Sequence, residues 1–129
     1  MNKILVQVSV GELLDKISIL EIKLDKIKDN EKLKFIKDEY NILKKEFEEN
    51  VIKNKKIDEL FKSLKDINLK LWIIEDDKRM CEKNRDFGEK FIKLSRDVHF
   101  LNDNRARIKL EINKYTGSKI KEIKEYTKY

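Results

Sequence analysis

The sequence contains no proline, three glycines, and a single cysteine, tryptophan and histidine. Each shortage removes a class of structure or chemistry. Without proline no helix is interrupted from within, and Gly11, Gly88 and Gly117 fall where helices are expected to begin or end. Cys81 alone can form neither an internal disulfide nor a cysteine metal cluster, so a reducing compartment is the simplest reading. His99 has no second histidine and no nucleophile–base signature beside it, which supports neither a His-rich metal site nor a catalytic triad. No apolar run nears the roughly 20 residues of a membrane span. The run at residues 4 to 8 is too short for a secretion signal, and a soluble, cytoplasmic protein is expected.

What is present is charge and helical periodicity. Charged residues are 43 % of the 129, a length expected to form one domain with one core. The net charge of +6 comes from lysines spread along the whole chain. Such dispersion favours solubility over a phosphate-tracking surface, and no nucleic-acid partner is expected. All five arginines, with Trp72, Cys81 and His99, fall between residues 72 and 109. In a chain so rich in lysine, that stretch is where any special chemistry is expected.

Residues 1 to 8 include a β-branched run, Ile4 to Val8, too short to be stable alone, which is expected to lie extended against the rest. Ser9 with Glu12 matches the reciprocal capping box, and Val8 with Leu13 the hydrophobic staple, so a helix should start there. Val10, Leu13, Ile17, Leu20, Leu24 and Ile27 then recur at three-four spacing. After a polar break at Asp29-Asn30-Glu31, Leu33, Ile36, Tyr40, Leu43 and Phe47 repeat the pattern. The short break makes an antiparallel hairpin of residues 9–50. Following an Asn- and Lys-rich loop, Ile57, Leu60, Leu64, Ile67, Leu71 and Ile74 form a third seam that turns polar at Lys78. A break at Asp86-Phe87-Gly88 precedes a fourth, through Phe91, Leu94, Val98, Leu101, Arg105, Ile108, Ile112 and Tyr115, with Gly117 as its stop. The fold expected is therefore an all-α antiparallel bundle of two hairpins. Its helices should lie near 10–28, 31–50, 57–85 and 89–115, the longer hairpin spanning 57–116, with a charged tail at 117–129 that is either helical or extended.

Several polar constellations stand out, each with an ordinary structural explanation beside it. Arg105 occupies a seam position and, if buried, needs a carboxylate: Glu12 or Asp15 from the first helix, or Glu75 or Asp76 on hairpin register. Arg79, Arg96, Arg105 and Arg107 could form an anion pocket, because a guanidinium grips phosphate or carboxylate through a planar fork; they could equally make internal ion pairs with Asp76, Glu82 and Asp103. Glu12 with Asp15, and Glu75 with Glu82, share helix faces, the arrangement by which helical nucleotide hydrolases hold Mg²⁺. The same spacing is common on any charged helix, and Glu12 is also accounted for by the capping box, so no cofactor is expected. Trp72 reads as a core or interface anchor.

Three blocks carry a resemblance: Val-Ser-Val-Gly-Glu-Leu-Leu-Asp-Lys-Ile-Ser-Ile-Leu-Glu-Ile-Lys at 8–23, Leu-Trp-Ile-Ile-Glu-Asp-Asp-Lys-Arg at 71–79, and Asn-Asp-Asn-Arg-Ala-Arg-Ile-Lys with Ile-Asn at 102–113. Together they resemble a family of short bacterial helical proteins of unknown function, often encoded among glycosyltransferase and surface-polysaccharide genes. The resemblance implies no catalytic residue. Its blocks contain most of the candidate polar site: Glu12, Asp15, Lys16, Glu75, Asp76, Arg79, Arg105 and Lys109, to which the residue reading adds Arg96. The function expected is that of a non-enzymatic interaction or accessory protein, associated with glycan building and with a protein partner or a second copy. The alternative is a Mg²⁺-dependent nucleotide-handling enzyme, or a binder of phosphate or nucleotide sugar, using these carboxylates and arginines.

Overall fold

The computed structural model describes residues 2–119, 123 and 125–128. Four helices account for most of them: α1 (Val10–Lys26), α2 (Asn30–Asn50), α3 (Lys55–Lys83) and α4 (Glu89–Thr116), with no strand among the described residues. Three helix starts are set by short polar side chains. Ser9, Asp29 and Asn54 each accept a bond from the backbone N–H three residues on, satisfying a donor that the first turn cannot. Gly117 closes α4 in the left-handed region at φ 68°, and the Ser118 N–H reaches back to the Asn113 carbonyl at 2.9 Å.

The turn between α3 and α4 differs from the expected one. α3 ends at Lys83, and Arg85, not a glycine, takes the left-handed conformation at φ 52°. The Asp86 N–H then bonds the Cys81 carbonyl at 2.8 Å, while Gly88 serves as the N-cap of α4. Phe87, within the break, is 52 % exposed and meets Phe91 edge to face. The N-terminal segment departs further from expectation. Residues 2–9 have no regular structure, and Ile4 and Leu5 are each 90 % exposed, so the segment does not lie against the body of the chain. At the other end α4 stops at Thr116, and the described residues of the tail are not helical; the rest of the tail lies outside the described residues.

α1 is the helix around which the others are arranged. It packs against α2, α3 and α4, whereas the backbone of α2 comes near α1 alone, so the bundle is lopsided. Leu14 and Ile17 of α1 meet Phe47 of α2, Ile57, Leu60 and Leu64 of α3, and Ile112 of α4 in one buried cluster. That core draws on the beginning of α3 and the end of α4. α1 has 17 residues and α3 has 29, about 25 Å against about 43 Å at helical rise. The turn end of the α3–α4 hairpin consequently stands beyond the core as a projecting arm, on which Ile73, Met80, Phe87, Ile92 and Phe100 are each 45 to 54 % exposed. No described helix is long and apolar enough to cross a membrane.

Candidate functional site

Where α1 crosses the α3–α4 hairpin, the apolar seams give way to polar residues that are nonetheless buried. Gly11, in the first turn of α1, lets the backbones close: a Cβ there would stand 2.5 Å from the Lys109 carbonyl oxygen. Its N–H donates to Asn113 Oδ1 at 2.7 Å. One turn further, Asp15 is 1 % exposed and faces α4. Arg105 grips it with two bonds, Nε to Oδ1 at 2.9 Å and Nη2 to Oδ2. Asn68 of α3 adds a third at 2.8 Å, and Lys109 Nζ stands 3.8 Å from Oδ2. The Asn68 amide also donates to Ser18 Oγ, whose own proton goes to the Asp15 carbonyl. Among the described residues no buried side-chain polar atom lacks a partner.

The electrostatics follow from this packing. Burial alone would push the Asp15 carboxyl up. The hydrogen bonds from Arg105 and Asn68, with the charges of Arg105 and Lys109, outweigh it and hold the group below the ordinary aspartate value. Glu12 is not consumed by the expected capping box. Its N–H caps on Ser9, but its carboxylate accepts from Lys109 Nζ at 2.6 Å. Two acids of α1 are thus matched by two cations of α4, forming a clamp between the helices.

Beside the clamp opens a cleft of about 320 Å³ between α1 and the hairpin. Ile19, Ile22, Leu71 and Trp72 give it apolar walls; Asn68 and Arg105 stand at one end, and Glu75, Asp76 and Arg79 extend it along α3. The expected site residues therefore divide. Glu12, Asp15, Arg105 and Lys109 come together in the clamp, and Glu75, Asp76 and Arg79 line the cleft. Lys16 and Arg96 are exposed and join neither group. The four-arginine anion pocket is not assembled: Arg105 is held by Asp15, Arg107 is exposed and bonds Asn104, and Arg96 does not reach the cleft. Nor do Glu12, Asp15, Glu75 and Glu82 converge; among the described residues no three acids, histidines or cysteines could hold a metal ion.

Asn68, Ser18 and Asn113 were not apparent from the sequence as members of the clamp. The signal available was positional. Asn68 follows Leu64 by four residues and precedes Leu71 by three, so a polar residue sits in an apolar seam, where it must find partners.

The chain belongs to the Family of unknown function (DUF6165), whose model matches residues 4–129. No curated protein and no solved structure matches it.

Proposed function

We propose that this protein works by docking and not by catalysis, as a dimeric helical adaptor whose α3–α4 arm joins a second copy of the chain. The observation that carries this is the projecting arm, with large apolar side chains about half exposed beyond the core. Its surface includes a groove of about 370 Å³ lined by Ile73, Ile74, Phe100 and Leu101, with Lys70 on α3 and Asp97 on α4 at its edges. Opposite charges on opposite helices make the groove self-complementary. A twofold axis parallel to the arm sets α3 against α4 of the mate, giving an antiparallel four-helix contact with Lys70 facing the mate's Asp97. Asp97 now holds Lys93 at 2.8 Å, but an exposed pair on one helix is worth only about 0.3–0.5 kcal/mol and is readily exchanged.

The same polar residues offer little to catalysis. The clamp carboxylates are both engaged by cations, and His99 is exposed on α4 away from the cleft. The service we assign to the adaptor is to enzymes of glycan or surface-polysaccharide assembly in a bacterial cytoplasm. This part rests on the resemblance of the three sequence blocks.

Light scattering tests the dimer. The full chain should return twice its 15.6 kDa mass at micromolar concentration. Ile73→Asp with Phe100→Asp should return a monomer with little change in helical content, since both residues lie on the arm outside the core cluster. A monomeric mass for the unaltered chain would overturn the proposal.

A further inference from the structure

The cleft lies on the face of α3 opposite the self-complementary groove, and its chemistry is of a different kind. Residues 68, 72, 75 and 79 follow one helical stripe, while 70, 73 and 74 lie on the other side. Glu75 and Asp76 are exposed at the cleft with no ion pair to any described residue. Asn68 is 5 % exposed, and its amide nitrogen donates to both Asp15 and Ser18. Its carbonyl oxygen is thereby left as an acceptor at the cleft. Arg105, the cation at that end, is neutralised by its two bonds to Asp15. Of the four charged residues that line it, Arg105 is committed to Asp15, which leaves Glu75 and Asp76 against Arg79, so the open part of the site is acidic although the chain as a whole carries +6.

We infer that this cleft binds an organic cation: an alkylammonium or alkylguanidinium group whose hydrocarbon stem lies along Ile19, Ile22 and Leu71 and whose charge is shared between Trp72 and the Glu75 and Asp76 carboxylates. Each part of the ligand has a counterpart. The volume suits a compact molecule or one long side chain, at the small end of ligand pockets. The indole face attracts a cation through its quadrupole, more strongly in a partly dry site. Carboxylates and the Asn68 oxygen only accept hydrogen bonds, so the ligand must donate. Arg79, one turn from Glu75 and three residues from Asp76, pairs with neither but is the nearby positive charge that repels a bound cation.

Trp72 is the only tryptophan, so its emission reports on the cleft directly. Agmatine, and separately a neutral-capped peptide with a single arginine, should each be titrated into the full chain, with inorganic phosphate as the anionic control. A saturable change is expected, weakening with salt. It should be at least tenfold weaker in Glu75→Gln/Asp76→Asn, two exposed positions whose replacement should leave the melt unchanged, and tighter in Arg79→Ala, which removes the repelling charge. Saturation by agmatine as well as the peptide identifies a free cation as sufficient; saturation by the peptide alone identifies a partner's side chain as the source, and either supports the inference. No saturable response to either probe would overturn it. So would binding unaltered in the double variant, or phosphate binding lost in Arg79→Ala, which would make the cleft an anion site.

Discussion

Asp15→Leu is expected to lower stability by about 3–5 kcal/mol, the cost of leaving a partly buried cation without its partner. The substitution strands Arg105, removes one of the two acids near Lys109, and takes an acceptor from Asn68. A loss of that size is a large fraction of an ordinary domain's stability, so urea unfolding should move to much lower midpoint. Asp15 also sets a pH dependence. Its carboxyl is held below the ordinary value in the folded chain, so the folded state binds the proton less readily than the unfolded one. The stabilisation is therefore fully present above the unfolded aspartate value of about 3.9 and is lost as pH falls through the lower folded value. Acid unfolding curves of the unaltered chain and of Asp15→Leu should converge at the acid end, and a constant separation down to the lowest pH would contradict the assignment.

Gly11→Ala should also destabilise, although alanine is the better helix former by about 1 kcal/mol. The added Cβ would meet the Lys109 carbonyl oxygen at 2.5 Å and Asn113 Oδ1 at 2.9 Å. A backbone carbonyl inside α4 cannot swing aside, so α1 must back away and weaken both Gly11–Asn113 and Asp15–Arg105. Overpacking of this kind costs about 1–3 kcal/mol, enough to outweigh the helical gain. The melting temperature should fall by several degrees, and an unchanged or higher value would show that the two helices do not approach as closely as described.

Much of the helical framework was legible because it is written in local chemistry. Ser9 caps the helix it was expected to cap, and Gly117 ends α4. Arg105 is paired by Asp15, one of the two α1 acids expected, because a seam position leaves a guanidinium few other partners. Beyond the buried amides and serine of the clamp, other features were not legible, each for a physical reason. Glu12 satisfies the capping pattern and also faces α4, and only the packing decides that Lys109 takes its carboxylate. The arginines were grouped by nearness in sequence, yet Arg96 and Arg105 are nine residues apart, half a turn out of phase, so they lie on opposite faces of α4. Ile4 to Val8 read as a segment that needs cover, but burial is a matter of available partners, and the described residues provide little there.

A double-mutant cycle between Asp15 and Arg105 tests most directly whether the clamp is structural and separate from the proposed docking surfaces. Unfolding free energies of Asp15→Leu, Arg105→Leu and the double variant should show a coupling of roughly 2–3 kcal/mol. Removing both charges leaves Lys109 with Glu12 at 2.6 Å and an apolar contact in place of the ion pair, so the double variant should be more stable than Asp15→Leu alone. It should also remain a dimer by light scattering. Additive losses within about 0.5 kcal/mol would show that the two side chains do not act on one another. A stable double variant that has become monomeric would place the clamp inside the functional surface and contradict the division.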